Sequence, residues 1–189
     1  RVNATDLGAI AASGSTVAHC PISNAKLGHG IAPVLEMLDA GIAVGLGSDS
    51  MASNNRMHLL EEARAATLAQ RVRALTPDAL PAARALELAT FGGARALGLE
   101  NRVGSLEVGK EADLAAFDLS TLAGGADADP ESALVFALGA EPAKFVAVAG
   151  IPKVWNWELL NEDLELHGRV SEIVTALREH LFVASVHSA

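Results

Sequence analysis

Two short apolar runs, each with a helical segment before and after it, constrain this chain more than any other feature. "STVAHCP", closed by Pro21, and "IAVGLG", residues 42–47, are both of strand length. The segments around them read as helices. "NATDLGAIAASGST" has Thr5 near its start and Gly14 near its end, and "IAPVLEMLDAG" has Pro33 in its first turn and Gly41 as a stop. "RMHLLEEARAATLAQRVRAL" repeats apolar or small residues at Leu59, Leu60, Ala63, Ala66 and Thr67. "TPDALPAARALELATFGGARALGL" reads as two short helices, with Thr76 capping the first. Helix–strand–helix–strand–helix is the pattern of parallel strands joined by crossover helices, an α/β fold. Two strands bury too little to stand alone. The first ~100 residues are therefore expected to be the end of a larger α/β unit, completed from elsewhere.

The texture changes near Gly104. Residues 1–103 hold nine acids and nine bases, whereas 104–189 hold fourteen acids and five bases and so carry the whole net charge of −9. The shift sets an expected boundary between a unit at 1–103 and a second at 104–189. In the second, "GSLEVGKEADLAAFDL" has turn glycines and an apolar run around Leu114–Phe117. "AKFVAVAGIPKVWNWELL" reads as two strands around a turn at Gly150–Pro152, with Trp155 and Trp157 alternating on one strand. "AGGADADP", 123–130, reads as a surface loop, and "LNEDLELHGRVSEIVTALREHLF" as a closing amphipathic helix.

An acidic balance argues against nucleic acid as a partner. No apolar run approaches the ~18 residues of a membrane span, and no signal peptide stands at the start. The single cysteine, Cys20, allows no internal disulfide, so a reducing, cytoplasmic setting is expected. Cys20 has no CxxC partner and reads as a buried, inert thiol.

Asp49 is the residue with the clearest chemical promise. It follows the second apolar run in "GLGSDSMASNN", at the C-terminal end of a parallel strand, where such sheets place their sites. A carboxylate there can ligate a divalent metal at ~2.0–2.2 Å and accept a proton from a water whose pKa the metal lowers to ~7. The competing reading is an ordinary Asx turn or helix cap. The histidines at 19, 29, 58, 167, 180 and 187 show no H-x-H or H-x-x-x-H spacing, so no local metal site is expected from them. His19 ends the first apolar run and falls near Asp49 if the two strands are neighbours; alone, it reads as a hydrogen-bonded structural group.

The stretch "VAHCPISNAKLGHGIAPVLEMLDAGIAVGLGSDSMASNN" resembles the last two barrel strands of the amidohydrolase superfamily, in the branch of guanine deaminase, S-adenosylhomocysteine deaminase and the triazine chlorohydrolases. "LELATFGGARALGLENRVGSLEVGKEADLAAFDL" resembles that superfamily's C-terminal signature. The resemblance implies the C-terminal portion of a TIM-like (β/α)8 barrel, its last two strands and helices, followed by part of a small β-sandwich and a C-terminal helix. It implies a metal-dependent hydrolase of C–N bonds, deaminating an aromatic heterocycle, with one divalent metal, zinc or alternatively iron. Asp49 matches the metal-ligating, proton-accepting aspartate of the last barrel strand. His19 matches a histidine that is not a usual ligand, and Ser23, Asn24, Asn54 and Asn55 match positions that shape the site mouth.

The resemblance also marks what is not here. The family's metal histidines lie on the first, fifth and sixth strands, and none of those strands is in this sequence. One carboxylate cannot hold zinc, which needs ~3–4 protein ligands. The chain alone is expected to be inactive and metal-free, to act on a small-molecule substrate only with the N-terminal barrel half or a second chain, and to form a homo-oligomer. Two alternatives stand beside this: a non-catalytic remnant that self-associates through an open barrel edge, and a cyclic-amide hydrolase of the same superfamily.

Overall fold

A computed structural model describes residues 2–120, 129–160 and 164–186, without the side chains of 164, 167 and 179–186. The histidines at 167, 180 and 187 and most of the loop expected at 123–130 lie outside the described residues or side chains.

The first helix, α1 (Ala4–Ser13), starts at Asn3, whose side chain accepts from the amides of Thr5 and Asp6 while Asp6 reaches back to the Asn3 amide. It stops at Gly14 in the left-handed conformation. Strand β1 (Val17–His19) follows, then a helix that the sequence did not announce, α2 (Pro21–Lys26), with Pro21 at its first position. Next come α3 (Val34–Asp39) and β2 (Val44–Leu46). A second short helix, α4 (Met51–Asn54), precedes the long α5 (Leu59–Ala74). The helices α6 (Ala82–Ala89) and α7 (Phe91–Leu97) complete this part. Thr76 does not cap α6. That helix begins after Pro81, and the Thr76 hydroxyl accepts from the Asp78 amide in a separate turn.

β1 and β2 pair in parallel, with Val17 opposite Val44, Ala18 opposite Gly45 and His19 opposite Leu46. The helix–strand alternation thus gives the neighbouring parallel strands it implied. The core gathers under β2, around Val34, Met37, Val44, Leu80 and Leu88. Val135 joins it from a π-helical turn at Ala133–Ala137, which follows the short α8 (Pro130–Ser132). α7 comes close to β2 because both surfaces are glycine: a Cβ on Gly45 would sit 2.7 Å from the Gly93 Cα, and one on Gly92 would sit 2.8 Å from the Val44 carbonyl oxygen.

The buried face of α5 is the expected one at Ala63, Ala66 and Thr67, and it leaves Leu59 outside. Glu62, Ala63, Ala66, Thr67 and Gln70 are buried, while Leu59 is 42% exposed. Two long polar side chains, Glu62 and Gln70, share this inward face, and the reason lies in their partners. Gln70 donates to the Ala32 carbonyl at 2.9 Å, and the partners of Glu62 belong to the site.

In the second part, β3 (Leu114–Ala116), β4 (Phe145–Val148), β5 (Ile151–Trp155) and β6 (Glu158–Leu159) form one antiparallel sheet in that order. Two tight turns join the last three strands, with positive φ at Ala149 and Gly150 and again at Asn156 and Trp157. Trp157 therefore sits in a turn and does not alternate with Trp155 along one strand. Trp155 packs edge-on against Phe145 at 5.6 Å, and the Lys144 ammonium lies over the Trp157 ring at 4.7 Å. The last helix, α9 (Leu164–Val186), covers most of the stretch that the pattern assigned to it, and its described side chains are all exposed.

Candidate functional site

The two parallel strands end side by side, and the loops that leave them carry the candidate residues. His19 closes β1, and its carbonyl accepts from the Gly47 amide at 3.0 Å, which extends the pairing one step past β2. Asp49 lies two residues further on, with φ 59°. A non-glycine residue rarely adopts that conformation, and Asp is among the few that tolerate it. The helix-cap reading of Asp49 fails on geometry. Ser50 caps α4 by accepting from the Ser53 amide at 3.3 Å. Asp49 stands just outside the helix with its carboxylate exposed.

That carboxylate has two close donors. The Ser23 hydroxyl donates to Oδ2 at 2.6 Å, and the Ser50 amide donates to Oδ1 at 2.7 Å. The Ser23 hydroxyl first, then the Ser50 amide, hold the Asp49 carboxyl below the usual aspartate range. A carboxylate offers about four lone-pair positions, so two hydrogen bonds leave room for a further ligand.

The remaining expected residues frame this point. Ser23 is buried on α2, and Asn24, next to it, is half-buried. Asn54 is the last residue of α4 and buried, and Asn55 ends that helix with φ 72°. Lys26, which the sequence did not single out, reaches from α2 to the Asn55 side-chain oxygen. His19 is 4% exposed, its Nε2 has no hydrogen-bond partner among the described residues, and burial lowers its pKa to about 4. It is thus a neutral imidazole at the end of β1, with no hydrogen bond to Asp49 among the described residues. Cys20 is half-buried rather than buried; its partial burial, and then the Asp49 carboxylate, push the thiol up, which disfavours the reactive thiolate.

The missed residue of most consequence is Glu62. It carries a signal in hindsight: a glutamate one residue before Ala63 on the small-residue face of α5, where a polar side chain needs a buried partner. Among the described residues no three His, Cys, Asp or Glu side chains gather closely enough to hold a metal ion. Asp49 fits one corner of a divalent-metal site, and the described residues do not supply the others.

The family model for amidohydrolases matches residues 2–153. The chain belongs to the amidohydrolase family. Among its relatives in that family is a 5-methylthioadenosine/S-adenosylhomocysteine deaminase of Desulforudis audaxviator, 55% identical over 109 residues, which are 58% of this chain and 25% of the relative. The deaminase of the same name from Halalkalibacterium halodurans is 45% identical over 149 residues, 79% of this chain and 34% of the relative. Among solved amidohydrolase-like structures, an adenosine deaminase from Xanthomonas campestris with bound zinc superposes with a TM-score of 0.82 at 36% identity, over 95% of this chain and 39% of that one. An atrazine chlorohydrolase from Arthrobacter aurescens in complex with zinc gives 0.80 at 34% identity, over 94% and 39%. This amidohydrolase chain therefore spans about a quarter to a third of the length of such curated relatives. Among its described residues no helix is long and apolar enough to cross a membrane.

Proposed function

We propose that this chain is the C-terminal part of a metal-dependent amidohydrolase that deaminates an aminopurine nucleoside of the 5-methylthioadenosine or S-adenosylhomocysteine kind. In this reading residues 1–103 are the last two strands and helices of a (β/α)8 barrel, and 104–189 are the second unit. The missing barrel strands come from the rest of the polypeptide or from a second chain, and the assembly is a homo-oligomer. The observation that carries the reading is Asp49, an exposed carboxylate just past a parallel strand, held by Ser23 and Ser50 and spared from capping its own helix. The fraction of each relative that the chain covers supports the partial barrel, and the zinc in two related structures supports the metal.

A metal completed by ligands beyond this chain would supply an acidified water. The chain's own part is narrower. Asp49 would give one ligand oxygen to that metal, and its carboxylate is the group on this chain that would hold a proton and pass it to the departing amino group. The net change adds water at the ring carbon and releases ammonia. Ser23 orients the carboxylate. Asn24 and Asn55 shape the mouth, buried Asn54 ties the loops below it, and His19 stays neutral beneath.

The test is to express the full reading frame that contains this chain and load it with zinc. Conversion of 5-methylthioadenosine or S-adenosylhomocysteine to the corresponding inosine, with Asp49→Asn losing both zinc and turnover, is the expected result. A zinc-loaded protein that leaves every aminopurine nucleoside intact, or an Asp49→Asn variant as active as the parent, overturns the proposal.

A further inference from the structure

Glu62 sits in the first turn of α5 and is 0% exposed. Its two carboxylate oxygens face two different loops. Oε2 accepts from the Ile22 amide at 3.1 Å, at the start of α2. Oε1 accepts from the Asn54 side-chain amide, at the end of α4. The same Asn54 nitrogen donates to the Ser48 carbonyl at 2.6 Å. One buried carboxylate thus bridges the loop after β1 and the loop after β2.

The two anchor points are each one residue from the Ser23–Asp49 hydrogen bond. Ile22 precedes Ser23, and Ser48 precedes Asp49. Among the described hydrogen bonds none joins Glu62 to Ser23 or Asp49, yet it fixes the backbone beside both. Among the described ion pairs none includes Glu62. The compensation for its burial comes from those two donors and from the positive end of α5. Burial raises its pKa. A buried acid without a countercharge is costly to keep for packing alone, since an apolar side chain of like size fills the same space. What an apolar side chain cannot do is accept from two loops at once.

We propose that Glu62 is a positioning residue for Asp49: a strut beneath the site that holds both strand-end loops in register, so that the Ser23 hydroxyl meets the Asp49 carboxylate. This rests on the proposed role of Asp49. The step it governs is geometric and includes no transfer of a group or proton to Glu62.

The experiment uses the full-length, zinc-loaded protein with Glu62→Gln, and with Glu62→Asp in case the first variant does not fold. Gln keeps one acceptor and turns an amide against the other donor; Asp keeps the charge and shortens the reach. Glu61→Gln, one residue away and ion-paired at the surface to Arg56, is the control. The expected result at Glu62 is a loss of turnover of roughly 10- to 100-fold with KM nearly unchanged. Amide exchange is expected to rise together in peptides covering 19–26 and 48–55, and not in β3–β5. The control stays within about twofold on both measures, as a surface pair does. Unchanged turnover, or exchange that rises evenly through the protein, overturns the proposal and leaves Glu62 a core residue. A parent protein inactive on every nucleoside defeats the functional reading instead, while the paired rise in exchange still decides whether Glu62 ties the loops.

Discussion

The Ser23 hydroxyl lies 2.6 Å from Oδ2 of Asp49, and this one hydrogen bond spans the two loops that leave the parallel strands. It is the leading reason that the Asp49 carboxyl is held below its ordinary range. Replacing Ser23 by Ala removes the donor and leaves the loop backbone in place. The expected outcome in the full-length protein is an upward movement of the Asp49 pKa and a loss of zinc affinity or turnover of roughly 10- to 100-fold, as found for groups that orient a metal ligand. Competition with a zinc chelator measures the first, and steady-state kinetics the second. Equal zinc affinity and equal turnover in Ser23→Ala would show that the bond does not orient Asp49.

Gly45 and Gly93 make the closest contact between β2 and α7. A methyl group on Gly45 would reach within 2.7 Å of the Gly93 Cα, and neither backbone has a flexible end to move aside. Gly45→Ala is expected to destabilise the fold by about 1–3 kcal/mol through overpacking. Gly8 makes the opposite case. It lies within α1, exposed, with nothing within 4 Å of an added Cβ. Gly8→Ala is expected to stabilise by up to about 1 kcal/mol, because alanine loses less backbone freedom in a helix. Denaturant titration of both variants checks the two signs, and a Gly45→Ala midpoint at or above the parent's would refute the close-packing account.

These contacts also mark where the sequence stops being legible. The strands could be read because "STVAHCP" and "IAVGLG" are apolar, short and bounded by helical periodicity. Asp49 could be placed because it lies two residues past one of them. The short helices α2 and α4 could not, since six and four residues are too few to show a period. Ser50 caps α4 with a residue type that fits turns equally well. The inward face of α5 was legible at Ala63, Ala66 and Thr67, but Glu62 and Gln70 look like solvent-facing residues until their partners, Ile22, Asn54 and Ala32, are known. Those partners lie 40, 8 and 38 residues away in the chain. Val135 joins the first core from well beyond Gly104 for a similar reason. Local pattern reports which faces are apolar, but not which distant segment covers them.

Arg73 and Glu36 form the outer tie between α5 and α3, bidentate and partly exposed. The Arg73 guanidinium is the first cause of the lowered Glu36 pKa. A folded-state pKa below the unfolded value gives stability that is present above the unfolded pKa, near 4.5, and lost as pH falls through the folded one. Because the pair is partly exposed, its worth is small, about 0.2–1 kcal/mol, and salt reduces it further. Arg73→Gln is expected to lower stability by that amount at neutral pH and low salt, and by almost nothing in concentrated salt. Thermal melts at the two ionic strengths measure the difference, and a salt-independent loss would assign the effect to packing of the arginine stem.

His19 gives the sharpest pH dependence. Its side chain is buried, its Nε2 has no partner among the described residues, and desolvation brings its pKa from 6.5 to about 4. The unfolded chain therefore takes up a proton near pH 6.5, while the folded protein resists until about pH 4. Between those values the unfolded state binds more protons, so stability falls as the pH is lowered through the window. At about 1.4 kcal/mol per pH unit, the full descent costs on the order of 3 kcal/mol. Glu62 works in the other direction, since its raised pKa favours the folded state as it takes up a proton. That contribution is common to parent and variant and cancels in their difference. His19→Asn removes the titrating imidazole and keeps a polar side chain at the strand end. Unfolding free energies measured from pH 7 to pH 4 are expected to fall more steeply for the parent than for the variant, with the two curves parting below about pH 6.5. Parallel curves through that range would mean that the buried imidazole finds a partner in the assembled protein and accepts its proton at an ordinary pH.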